Sequence, residues 1–276
     1  MVDLIRALAT LGEPPGAETP AIIEALGLPS SPDLADYTDF FVFQQVPFAS
    51  VYLSFEGMVG GDAGDRIAGF WRALGGTPPA EPDHLATLLA AYADLSAGMH
   101  SDAGELTQRG AAPDALLWEH ILSWMPVFLT SAVRAHGPYA PWARLLLEVL
   151  LEEARTSPVE PVMPIHLRDL TPLGQPSRGE SDTFIAALLA PVRSGIILTR
   201  RDLARASQAT GLGIPPGERR GMLRSLFDQD ARLTAGWLAE EAVWWERRYA
   251  EFEPELGPVA RFWRQQAAAT ATLLGS

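Results

Sequence analysis

Glu81, Pro82, Asp83 and His84 set a carboxylate directly beside an imidazole, with a second carboxylate two positions back. A loop rich in glycine and proline leads in from residue 75, and the apolar stretch LATLLAAYADL follows at 85–95. The first turn of a helix leaves its amide donors without intrahelical partners, so Pro82 suits that turn and Asp83 falls inside it. The positive end of the helix dipole favours a carboxylate there and disfavours a histidinium at position 84. The expected pair is an ionised Asp83 beside a neutral His84, whose ring donates and accepts and so can read a polar partner. In the plainer account Pro82 and Asp83 only start a helix, and His84 finds a backbone carbonyl.

A second candidate is His120 with Trp124, one helical turn apart in the segment that Pro113 and Asp114 open. Leu117, Ile121, Trp124 and Phe128 make an apolar stripe along it, a pattern that is more often core than site. Pro126 removes a backbone hydrogen bond inside this helix and predicts a kink.

Catalytic constellations are scarce. There is no His-Glu-x-x-His helix, no phosphate-cradling glycine loop and no strand-turn-helix serine nucleophile. The five histidines (84, 100, 120, 136 and 166) would need neighbouring carboxylates to hold a metal in a helical bundle. An all-helical metal phosphohydrolase typically shows His followed by Asp, whereas this chain has the reverse order at 83–84. A metal-dependent hydrolase therefore stays only as a distant alternative, and the expectation is a non-enzyme with no cofactor.

Composition narrows the class further. A chain of 276 residues, 47% hydrophobic, can bury a substantial core. It has no cysteine, which removes disulfides, thiolate metal sites and cysteine nucleophiles together. All 21 basic residues are arginine, and the net charge of −13 argues against a nucleic-acid backbone and favours a cationic partner. No targeting segment or membrane span is visible, so a cytoplasmic protein without membrane insertion is expected.

Periodicity predicts helices throughout and no strand. Short ones are expected at 19–27, with Thr19 as cap, and from Ser31-Pro32 through Leu34, Tyr37, Phe40 and Phe41. Others follow at 62–74, 82–98, 113–136 and 138–155. Residues 157–179 are proline-rich and read as a linker or strap. Helices resume beyond it, with Thr199 capping 200–210 and Asp230 capping the longest, which carries Leu238, Trp245 and Tyr249. The arginines at 193, 200, 201, 205, 219, 220 and 224 read as a solvated face or internal ion pairs.

Three segments resemble the TorD/DmsD family of redox-enzyme maturation chaperones. The stretch EPDHLATLL is similar to that family's Glu-x-Pro-Asp-His hallmark and following apolar helix, with Glu81 one position closer to the proline. Upstream, VPFASVYLSFEG matches at Pro47, Ser50, Tyr52 and Glu56; downstream, His120 and Trp124 match the family's second recurring segment. The resemblance covers roughly residues 30–155.

It implies an all-α bundle of the TorD-like type with extra C-terminal helices. A core over 1–156, the strap at 157–179 and a helical segment at 180–276 packed on the core are expected. The implied function is binding the twin-arginine signal peptide or apo-subunit of a molybdenum oxidoreductase before cofactor insertion and export. The alternative is a chaperone for a non-exported redox subunit; a homodimer is compatible with either. Asp83 with Glu81 or Glu56 would pair with the peptide's arginines, beside His84 and Pro82. Tyr52, Leu85, His120, Trp124 and Phe128 would line the apolar part.

Overall fold

The computed structural model describes residues 1–98, 111–175 and 181–275. Most of the polar connection before residue 112, and the strap's last residues, lie outside them. The protein is all-α: among the described residues the only β pairing is an isolated antiparallel bridge between Phe48 and His84. The chain divides into two compact units, Met1–Ser50 with Val59–Pro164, and Val51–Met58 with Ile165–Ser276.

In the first unit α1 (Val2–Thr10) buries Ile5, Leu8 and Ala9, and pairs with α6 (Leu85–Gly98). Between them lie α2 (Thr19–Ala25), α3 (Leu34–Tyr37), α4 (Ala49–Leu53) and α5 (Gly61–Ala73). The first two residues of α4 belong to this unit. Two expected starts move. Thr19 is already helical, and its hydroxyl accepts from Gly16 N instead of capping. Asp33 caps α3 through a reciprocal capping box with Asp36. Beyond Tyr37 the helix widens to a π-helix at Thr38–Gln44, closed by Gln45 N to Phe40 O at 2.8 Å. Consecutive Phe40 and Phe41 are both buried there, their rings against Tyr139 and Phe128.

The segment expected as one helix at 113–136 is broken. Its first part, α7 (Ala112–Ala115), runs into a second π-helix at Leu116–Ile121; α8 (Met125–Arg134) restarts with Pro126 in its first turn. The two parts meet at 51°, the bend that the proline predicts. Then α9 (Ala140–Thr156) packs along α8, and the Trp142 indole donates to Leu8 O at 2.9 Å in the core. Among the described residues no single helix is long and apolar enough to cross a membrane; the bent pair passes on length and composition alone, and most of it is buried here.

The second unit holds α10 (Ser181–Leu188), α11 (Pro191–Ser194), α12 (Arg200–Thr210), α13 (Arg219–Gln229), α14 (Ala231–Ala250), α15 (Glu253–Leu256) and α16 (Pro258–Leu274). Thr199 and Asp230 cap α12 and α14 as expected. The arginine-rich stretch is spent largely on internal pairs: Arg205 grips Glu241 and Asp202, and Arg224 pairs with Asp182. The main pairing is α14 with α16, antiparallel by the Glu246–Arg264 and Ala239–Gly275 contacts. Trp245, Tyr249 and Trp263 fill the seam.

Gly195 locks α11 onto this pair. Its carbonyl accepts from the Tyr249 hydroxyl at 2.8 Å, and the neighbouring Ser194 carbonyl accepts from Thr270. Its φ is +71°, and a Cβ there would fall 2.2 Å from Ala267 N. Gly195→Ala is therefore expected to cost about 3 kcal/mol or more, since left-handed strain adds to a backbone clash. Chemical denaturation read by tryptophan fluorescence checks this; an unshifted midpoint would mean the contact is not close.

Candidate functional site

Three helix starts in the first unit meet at Asp83. Residues 47–50 and 83–85 run antiparallel for two residues: Leu85 N donates to Pro47 O at 2.8 Å, and Ala49 N donates to Asp83 O at 3.0 Å. The Asp83 carboxylate then accepts from Ser50 N at 3.0 Å. The first two amides of α4, which have no partner within their own helix, are thus both satisfied by Asp83. The Ser50 hydroxyl in turn accepts from Gly60 N at 3.0 Å, fixing the residue that precedes α5. Asp83 and Ser50 are buried, and Gly64 of α5 lies against the carboxylate with no side chain between.

The helix after the motif begins at Leu85, not at Pro82, which with Asp83 forms the turn before it. His84 is its cap. The His84 carbonyl accepts from Leu88 N, and its Nδ1 accepts from Ala86 N at 3.2 Å. That acceptor role places the ring proton on Nε2. The Phe48 ring meets the His84 ring edge-on, and Glu13 Oε1 stands 3.6 Å from Nδ1, beyond hydrogen-bond range.

At the second motif, the His120 carbonyl lies where the π-helix at Leu116–Ile121 ends, and the Trp124 indole donates to it at 2.8 Å. The spacing of these two residues thus has a backbone reason: it closes a helix end. The Trp124 ring packs edge-on against Phe128, and both are fully buried. The His120 ring meets Phe70 of α5. Burial lowers its pKa to about 4, with the Arg66 cation adding to the effect.

The sequence-predicted residues therefore fall into three groups. Asp83, His84, Leu85, Trp124 and Phe128 are buried and engaged in the fold; Pro82 and His120 are half-buried; Glu81 is exposed. Tyr52 and Glu56 belong to the second unit, Tyr52 buried and Glu56 exposed. Sequence reasoning missed the bonding roles of Ser50 and Gly60, and Glu13 altogether; only tertiary pairing reveals them. Among the described residues no three of His, Asp and Glu converge as metal ligands.

Two outcomes follow for this unit. Asp83→Ala strands a buried amide and is expected to cost about 2–3 kcal/mol of stability, whereas Glu81→Gln at the exposed position stays within about 0.5. Paired denaturant melts check this, and equal melts would refute the clamp. Acid acts through His120: the unfolded chain takes up its proton from about pH 6.5 downward, and the folded one only near pH 4. Between those values the unfolded state binds more protons, so stability falls as pH falls, by an amount on the order of 3 kcal/mol. His120→Gln should flatten that part of the stability–pH curve relative to the parent, and an unchanged slope would contradict the assignment.

One comparison with known proteins reaches this region. No curated protein and no solved structure matches the chain. Residues 16–130 do match a family model, described as nitrate reductase delta subunit. The match covers less than half of the chain and includes the segments joined at Asp83 as well as the His120–Trp124 turn. Over that stretch the chain is similar to the nitrate reductase delta subunit family.

Proposed function

We propose that this chain is a cytoplasmic, non-catalytic chaperone that holds the apo-form of a molybdenum oxidoreductase by its twin-arginine signal peptide, its mature subunit or both, until the cofactor is in place. The observation that carries this reading is the coincidence of the family match with the Asp83 clamp, the part of the first unit that fixes three helix starts. Net charge supports it: a protein at −13 attracts a cationic segment over a distance and repels nucleic acid.

In this reading the motif residues divide their work. Asp83, His84 and Leu85 build the frame, and Trp124 and Phe128 form its packed wall, with His120 at the edge. Glu81 and Pro82 stand at the rim, where a carboxylate can meet an incoming guanidinium. Tyr52 and Glu56 are assigned to peptide binding from the family pattern alone.

Affinity capture from the native host, with any retained redox subunit identified, tests the proposal. The expected result is a molybdoenzyme subunit, retained less well as salt rises, because charges screen over about 8 Å at physiological ionic strength. Recovery of no redox subunit under any salt condition would contradict it. Repeating the capture with the subunit's N-terminal signal deleted separates peptide binding from binding of the mature part.

A further inference from the structure

The first unit leaves an apolar helix face in water. Leu34, Val42 and Phe43 are 62%, 55% and 50% exposed. They share one side of the element that α3 and the first π-helix form together. Thr38 stands between them, its hydroxyl donating to Leu34 O at 2.7 Å, and Val42 follows one turn later. Phe40 and Phe41 lie on the opposite side, in the aromatic cluster with Tyr139. The wide turn of a π-helix thus sets two consecutive rings inside and the next two apolar residues outside. Nine steps of helical rise make the face roughly 13 Å long, which matches about two turns of a bound helix. Apolar side chains clustered in this way, not scattered singly, mark a docking surface.

Charge identifies what covers it. The first unit holds 20 acidic and 7 basic residues and the second 14 of each, so the whole net charge of −13 sits on the first. Within that unit no basic residue occurs between Arg6 and Arg66, and the face carries Asp33, Asp36 and Asp39 along its length. Asp33 and Asp36 accept from each other's backbone amides, neutral donors that leave both negative charges in place. Their field is felt nearby. Burial raises the Tyr139 hydroxyl pKa, with Tyr37, Asp36 and Asp33 adding to it. Burial likewise raises that of Tyr37, on α3 itself, and the charges of Glu13 and Glu81 raise it further. The rim of the motif and the apolar face therefore lie in one acidic field.

We propose that the face of Leu34, Val42 and Phe43 docks a client segment that combines arginines with aliphatic side chains, the aliphatic groups on the face and the guanidiniums against Asp33 and Asp36. The inference rests on the peptide-binding reading above and adds a surface to it. Charge complementarity selects the occupant. Nucleic acid and anionic lipid headgroups would meet the unit's negative charge, and a second copy docked on the same face would bring like carboxylates together. An exposed guanidinium–carboxylate pair adds little by itself. Apolar burial therefore supplies most of the affinity, and the carboxylates supply selectivity and salt dependence.

The test uses the full chain and fluorescence anisotropy with a labelled synthetic peptide carrying two adjacent arginines followed by leucines. A second peptide replaces the arginines by glutamine. Asp33→Asn combined with Asp36→Asn removes two charges and keeps the acceptors that the cap needs. It should weaken the arginine peptide about three- to tenfold and leave the glutamine peptide unaffected. Leu34→Ser combined with Val42→Ser, both at exposed positions, should weaken both peptides about tenfold. Circular dichroism confirms folding, and if the serine variant does not fold, the asparagine variant decides alone. Wild-type binding of the arginine peptide that persists unchanged in either folded variant overturns the face and leaves the chaperone reading standing. So does sedimentation showing a wild-type dimer that the serine variant loses while its peptide binding is unchanged, which would give the face to a second copy. A wild-type chain that binds neither peptide overturns peptide binding itself.

Discussion

The first unit depends on a buried carboxylate whose hydrogen-bonding capacity is spent on other helices' starts. Asp83 receives Ser50 N through its side chain and Ala49 N through its carbonyl, so α4 begins where Asp83 permits. Ser50 passes the constraint on to Gly60 and hence to α5, while His84 caps α6 from the next position. A buried charge is tolerated only when it is hydrogen-bonded, and here the partners are amides that would otherwise be unsatisfied. The geometry suits aspartate: alanine offers no acceptor, and glutamate would push its longer stem towards Gly64, which already lies against the carboxylate.

Acidic residues divide between inward-facing and exposed positions. Asp83, Glu153 and Glu241 face inward onto an amide, the Tyr92 hydroxyl and the Arg205 guanidinium. Glu13 and Glu81 are exposed near Tyr37 and perturb its hydroxyl. Under the proposed function, the buried set would hold the helices and the exposed glutamates would be the ones open to a cationic client.

Much of the fold was legible in the sequence because its cues are local. The capping residues Thr199 and Asp230, the bend at Pro126 and the apolar stripes all depend on neighbours within a few positions. The misplaced start of α6 was a local reading overruled by a distant partner: the Pro47–Leu85 and Ala49–Asp83 bonds hold residues 82–83 in a turn. Neither π-helix has a sequence signature; the first brings consecutive Phe40 and Phe41 into one aromatic cluster. Of the candidate site, the residue names were legible and their hydrogen-bond partners were not. Asp83 accepts from amides 33 and 34 positions away in the chain, and no local pattern announces them.

Amide hydrogen exchange on the native full-length chain, resolved to single residues, tests the clamp most directly. If Asp83 holds the start of α4, the amides of Ala49, Ser50 and Leu85 are protected together and exchange only through the cooperative opening of the first unit. Rapid exchange at Ser50 while the interior of α6 remains protected would show that the carboxylate does not hold it, and would contradict the account.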